Sequence, residues 1–153
     1  MIKRFNIRVY GLYVSDNNEL LLADEYRQGL KFTKFPGGGL EFGEGTIECL
    51  KRECMEELKQ EVEVKEHFYT TDYFQPSAFN KYEQLISIYY FISFPAPLKF
   101  SIKKQKFDFE KLKEGAEAFR LWPLNDIDPN DLMFPVDKKV LLMLKQKNEN
   151  KLT

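Results

Sequence analysis

Three glutamates and an arginine in the run from Gly37 to Glu57, GGGLEFGEGTIECLKRECMEE, have the types and spacing to do chemistry. Glu53, Glu56 and Glu57 stand at i, i+3 and i+4, so a helix projects all three from one face. Like charges at that spacing repel by roughly a few tenths of a kcal/mol per pair, and a face with no use for them would interleave lysines. Carboxylates gathered beside a glycine-rich turn suit a hard, oxygen-seeking cation, Mg²⁺ or Mn²⁺. Such a cation partners phosphate oxygens, neutralises developing charge and lowers the pKa of a bound water. The glycines let backbone N–H groups approach a diphosphate closely, which makes Gly38 and Gly39 candidates for substrate binding. Arg52 cannot ligate a cation, because its guanidinium stays protonated, but it can hold a carboxylate bidentately and fix its rotamer. Glu44, just ahead of the helix, is placed to orient or to bind.

The elements that must position these groups are legible in outline. Thr46 is a suitable helix N-cap, with Glu48 in the first turn. Ile47, Leu50, Cys54 and Leu58 form an apolar stripe within about 80° on the helical wheel, and the three carboxylates centre about 130° away. Ahead of the helix, Phe5 to Val14 alternates as a strand, Asp16-Asn17-Asn18 signals a turn, and Glu19 to Ala23 returns as a second strand, which predicts a hairpin. Lys31 to Phe35 is a short strand ending at Pro36. Five of the eight glycines then fall between Gly37 and Gly45, marking a turn with conformations denied to residues that carry a Cβ.

Beyond the helix, Glu61 to Val64 opens an extended region running with breaks to Phe74. Gln84 to Phe94 is the strongest strand, dense in β-branched and aromatic residues, and Pro95 and Pro97 end it. Lys99 to Gly115 is lysine-rich without periodicity, so an exposed insertion is expected at about 95–115. Phe119 to Trp122 reads as a last strand, and Phe134 to Lys147 as a closing helix with Pro135 in its first turn and Val136, Val140, Leu141 and Leu144 on one face. Strands on both sides of a central helix, with a second helix at the end, predict an α/β/α sandwich around a mixed β-sheet.

Bulk properties narrow the class. The chain has 153 residues, enough for one domain with a sizeable core, so a single domain over 1–153 is expected. A net charge of −1 gives no argument for a nucleic acid polymer or an anionic membrane as partner. Cys49 and Cys54 are the only cysteines, and five residues apart on a helix they cannot readily bridge. Two unpaired thiols, an N-terminus without the apolar run of a signal peptide, and no run of about 18 apolar residues together predict a cytoplasmic protein. Gln84 to Phe94, or the N-terminal hairpin, offers a strand that could pair across a homodimer.

The spacing Gly38, five residues, Glu44, seven residues, then Arg52-Glu53-Cys54-Met55-Glu56-Glu57 resembles the Nudix box of the Nudix hydrolases. All five charged positions and the first glycine match, and Cys54 fills the first aliphatic slot. The match stops at the end, where Lys59 stands in place of a glycine and Gln60 in place of an aliphatic residue. Glycine suits the left-handed position that ends a helix, and lysine is sterically disfavoured there. The resemblance implies the sandwich fold and Mg²⁺-dependent cleavage of a nucleoside diphosphate linked to another group, a nucleoside triphosphate or a nucleotide sugar. It further implies Glu53, Glu56 and Glu57 as metal ligands, one of them doubling as general base, with Arg52 and Glu44 holding them. A further acid from a distant loop, Glu117 or Glu114, completes the expected ligand set.

Base or sugar selection falls to loop residues such as Asn125, Asp126, Asp128 and Asn130. The competing function is a nucleotide-binding or regulatory module that keeps the fold without turnover. Plain structural roles are assigned to the single histidine, His67, to Trp122, Tyr73, Phe74 and Tyr82, and to the lysines of the insertion. The glycine run contains no clean G-x-G-x-x-G followed by repeated βαβ units, and no Gly-Lys-Ser/Thr ending, which argues against a dinucleotide fold and a P-loop.

Overall fold

A computed structural model describes residues 1–152. In chain order the elements are β1 (Arg4–Leu12), β2 (Glu19–Arg27), β3 (Leu30–Lys34), β4 (Gly37–Gly39), α1 (Thr46–Leu58), β5 (Glu63–Thr70), β6 (Glu83–Ser93), β7 (Glu117–Pro123) and α2 (Pro135–Leu152). They divide into two compact units: Met1–Tyr13 with Pro36–Phe100, and Val14–Phe35 with the chain from Ser101 onward.

The first unit holds a four-stranded mixed sheet of order β4-β1-β6-β5, covered by α1. β1 and β6 run parallel, whereas β4 on β1 and β5 on β6 are antiparallel. Parallel neighbours require a long crossover, and α1 lies within it. The α/β class with a mixed sheet is therefore the one the sequence implied. The expected hairpin of the first two strands does not form. Each strand has two edges; β1 spends both on β4 and β6, and β2 spends both on β3 and β7. The turn after Val14 carries an isolated bridge from Val14 to Leu20 and the Ser15 N–H bonded to the Glu19 carbonyl. β6 is likewise flanked on both sides, so neither of the strands singled out for pairing with a second copy has an open edge.

The glycine run also departs from expectation. Gly37, Gly38 and Gly39 form strand β4, paired with Tyr10, Val9 and Arg8, and the left-handed turn glycine is Gly43 at φ 89°. Helix α1 is capped at Gly45 instead of Thr46, with the Glu48 carboxylate accepting the Gly45 N–H at 3.3 Å. Thr46 lies inside the first turn, its hydroxyl 2.7 Å from that of Tyr90. The buried face is Cys49, Leu50, Cys54 and Leu58, while Ile47 is 45% exposed; Cys49 occupies the place expected for Ile47.

The second unit holds an antiparallel sheet of order β3-β2-β7. Its hairpin, β2–β3, turns on Gln28 (φ 50°) and Gly29 (φ 79°), a two-residue loop with both centres left-handed, as strand twist favours. The Glu114 carboxylate accepts the Gln28 N–H at 3.0 Å, which ties the turn down. Buried Asp24 on β2 is the centre of a polar knot: it takes Arg120 from β7 at 2.8 Å, the Thr33 hydroxyl from β3 at 2.7 Å and the Phe107 backbone N–H at 3.0 Å. Residues 95–115 contain no helix or strand, only an isolated bridge from Ile102 to Phe119. α2 begins at Pro135 and buries Val136, Val140, Leu141 and Leu144, the face expected from its periodicity.

Candidate active site

Helix α1 and strand β4 bring most of the expected residues together around one guanidinium. Arg52 forks onto Glu44, with Nε at 2.9 Å from Oε2 and Nη2 at 2.7 Å from Oε1. Its Nη1 reaches Glu53 at 2.9 Å and Glu56 at 3.3 Å, and Nη2 donates to the Gly39 carbonyl at 2.9 Å. A bidentate arginine–carboxylate pair carries geometric specificity as well as energy. Here it fixes the loop ahead of α1 to the middle of the helix. The Glu41 N–H donates to Glu44 at 2.9 Å, and the Glu41 carboxylate lies 3.8 Å from Arg52. Glu41 was not singled out in the sequence; its position three residues before Glu44 across the Gly43 turn was the available signal.

The glycines explain themselves at this site. A Cβ on Gly38 would collide with the Glu53 carboxylate, so the strand needs a residue without a side chain for Glu53 to lie against it. A Cβ on Gly37 would meet the Val9 carbonyl, and φ is 140° there. The Gly37 N–H points at Glu57 Oε2 at 3.4 Å. At Gly39 a Cβ would come 3.3 Å from an Arg8 nitrogen.

Charge at the cluster is strongly uneven. Glu41, Glu44, Glu53 and Glu56 face a single guanidinium, and Glu57 stands one residue beyond. The hydrogen bonds from Arg52, then that from the Glu41 N–H, hold the Glu44 carboxyl down at about 2 from an ordinary 4.5. The same carboxylates push the Arg52 pKa upward. Burial, reinforced by Glu44, raises the Cys49 thiol to about 12, so Cys49 is a packed thiol and not a nucleophile. Both cysteines are buried, and neither is in a disulfide.

The donor set is made of hard oxygens and fits Mg²⁺ or Mn²⁺ in chemical type. It is not gathered as ligands are: among the described residues no three His, Cys, Asp or Glu side chains are placed to hold one ion. Arg52 draws Glu53 and Glu56, Glu57 leans toward Gly37, and the Glu56 side chain is 59% exposed. The remaining expected residues lie in the second unit. Glu117 begins β7 in register with Glu25. Glu114 is engaged on the β2–β3 turn, and Asn125 sits in a single 3₁₀ turn, Leu124–Asp126. Asp128 caps the next such turn by accepting the Asn130 N–H at 2.9 Å.

The NUDIX domain pattern matches residues 4–144. The chain belongs to the NUDIX family. Its Nudix box runs from Gly38 through α1, and the two departures at its end are both accommodated. Lys59 adopts the left-handed conformation itself, at φ 56° and ψ 31°, and its N–H closes onto the Met55 carbonyl at 3.0 Å. Gln60 is buried and bonded to the segment Ala96–Lys99.

Several solved structures share the fold. A MutT protein from Methanosarcina mazei Go1 superposes at TM-score 0.67 and 16% identity, covering 97% of this chain and 98% of that one. A NUDIX hydrolase from Nitrosomonas europaea gives 0.65 and 19%, covering 95% and 90%. An ADP-ribose pyrophosphatase from Streptococcus suis 89-1591 gives 0.55 and 14%, covering 97% and 92%. No curated protein matches the sequence. Among the described residues, no helix is long and apolar enough to cross a membrane.

Proposed function

We propose that this chain is a Nudix-type pyrophosphohydrolase that uses Mg²⁺ or Mn²⁺ to cut the phosphoanhydride bond of a nucleoside triphosphate or nucleotide sugar. The observation that carries the reading is the crowding of Glu41, Glu44, Glu53 and Glu56 on one arginine, with Glu57 alongside, at the position of the Nudix box. Beyond the tie that Arg52 and Glu44 make between loop and helix, that crowding of carboxylates in a partly exposed site is what a divalent cation would stabilise. Related folds include proteins described as an ADP-ribose pyrophosphatase and as a UDP-X diphosphatase, which supports a small nucleotide derivative as substrate.

In this reading Glu53, Glu56 and Glu57 would hold the ion. A bound divalent ion would neutralise charge on the diphosphate and lower the pKa of a coordinated water. The chain's own residues do the rest. Arg52 keeps Glu53 and Glu44 in fixed rotamers, Gly38 and Gly39 leave the strand bare for a close approach of phosphate, and exposed Glu56 can take a proton from water. The same reading puts the protein in the cytoplasm, where its two thiols stay reduced.

A screen of nucleoside triphosphates, nucleotide sugars and dinucleoside polyphosphates with Mg²⁺ should identify a substrate by released product. On that substrate Glu56→Gln and Glu57→Gln should each lower kcat by about 10²–10⁴-fold while the fold survives. Near-wild-type rates in both, at saturating Mg²⁺, would remove the box carboxylates from the mechanism. A second reading, nucleotide binding without turnover, is favoured by the dispersed carboxylates. Calorimetric nucleotide binding with no product over hours in Mg²⁺ or Mn²⁺ would establish it.

A further inference from the structure

We propose that Gln60 is a positioning residue that clamps the last turn of α1, and with it Glu56 and Glu57, to the segment Ala96–Lys99. Its consequence for catalysis rests on the metal-dependent reading above; its structural part does not.

The end of α1 is built against local preference. Glu56 and Glu57 stand at the negative end of the helix dipole, and the last turn carries no basic residue to offset them. Glu53 repels both at i+3 and i+4. The residue that must turn left-handed is Lys59, where a Cβ is disfavoured. A helix end so composed tends to fray, and fraying would move Glu56 and Glu57 away from Glu53.

Gln60 supplies what the end lacks. It is 4% exposed. Its Nε2 donates to the Pro97 carbonyl at 3.0 Å and to the Ala96 carbonyl at 3.4 Å, while its Oε1 accepts the Lys99 N–H at 2.8 Å. One side-chain amide thereby engages the backbone of three residues in a stretch with no helix or strand of its own. An aliphatic residue, which the family pattern carries here, can be buried but cannot make these bonds. The two departures from the box thus form a matched pair: Lys59 weakens the helix stop, and Gln60 fastens the chain one residue later.

The test uses the 153-residue chain and two substitutions, with amide exchange read in the absence of metal. Gln60→Met fills a similar volume with no polar atoms. Gln60→Glu keeps the acceptor for Lys99 but loses both donors. Native-state amide exchange should speed up about tenfold over Met55–Lys59 in Gln60→Met, with β1 and α2 unchanged. The Lys99 amide should lose its protection in Gln60→Met and keep it in Gln60→Glu. Mn²⁺ binding, followed by water proton relaxation, should weaken severalfold in Gln60→Met, with kcat recovered at saturating metal. Unchanged exchange over Met55–Lys59, or an increase spread evenly over the molecule, overturns the clamp. If no nucleotide is hydrolysed by the wild-type protein, the exchange result still decides the structural claim while the hydrolase reading fails by itself.

Discussion

Arg52 in the first unit and Arg120 in the second each anchor an arginine–carboxylate network, and the two are built to opposite rules. Around Arg120 the side chains are 1% exposed, and one carboxylate, Asp24, answers one guanidinium. Asp24 uses both oxygens: Oδ2 accepts from Arg120 and Phe107, and Oδ1 from Arg120 and Thr33. The Arg120 guanidinium also lies 4.9 Å from the Trp122 ring centre. Charge balances and the acceptors are filled. Around Arg52, 24% exposed, four carboxylates compete for one cation. The first network sets one carboxylate against one guanidinium, and the second sets four against one. The buried network joins three strands and a loop; on the function proposed above, the half-exposed one is where a cation and an anionic substrate would add something.

The contrast can be broken most forcefully by exchanging the two arginines for residues that keep size but not chemistry. Arg120→Met leaves Asp24 buried and unpaired, and should cost about 3–5 kcal/mol in denaturant unfolding. Arg52→Lys keeps a charge but loses the fork onto Glu44, and should cost less than about 1 kcal/mol. On the function proposed above its effect falls on catalysis, with metal affinity or turnover lowered by about 10–100-fold. Equal stability losses in the two variants would mean that the Arg52 network is also structural scaffolding.

The pH response sharpens the same distinction. Glu44 has a folded pKa of about 2 against an ordinary 4.5, held down chiefly by Arg52. A depressed carboxyl stabilises the folded chain above its unfolded value and loses that contribution as pH falls, here between 4.5 and about 2. Carboxyl NMR titration of Glu44 should therefore find a midpoint near 2 in the wild type and a higher one in Arg52→Lys. A wild-type midpoint close to 4.5 would mean that the fork does not persist in solution.

How much of this was legible in sequence depends on whether the signal was local. The carboxylate face of α1, the Arg52–Glu44 spacing, β6 and the buried face of α2 follow from spacing along one segment, and each was readable. Pairing was not. Asp16-Asn17-Asn18 is a sound turn signal, and the chain does turn there, but which strands become neighbours is decided by partners more than 20 residues away. The hairpin that does form, at Gln28-Gly29, hides its signal in a glutamine at φ 50°. Gly37–Gly39 looked like a turn because glycine usually marks conformational freedom. Here the glycines serve close approach within a strand, and only the position of the Glu53 carboxylate reveals it. Asp24, Thr33 and Arg120 were invisible for a related reason: their chemistry is assembled across three strands.

The smallest effect tests whether the strain at the end of α1 can be separated from the site. Lys59 takes the left-handed position that the family fills with glycine. A non-glycine residue there is disfavoured by about 1–2 kcal/mol, partly offset by the backbone entropy that glycine loses on folding. Lys59→Gly should therefore stabilise the chain by about 1 kcal/mol and raise Tm by roughly 2–4 °C. Because Lys59 donates only its backbone N–H to the helix end, and glycine keeps that donor, kcat should not change. A lower Tm would contradict the left-handed stop. A changed kcat would show that the end of the helix and the carboxylates upstream of it respond as one unit, so that the strain belongs to the site and not merely to the helix that carries it.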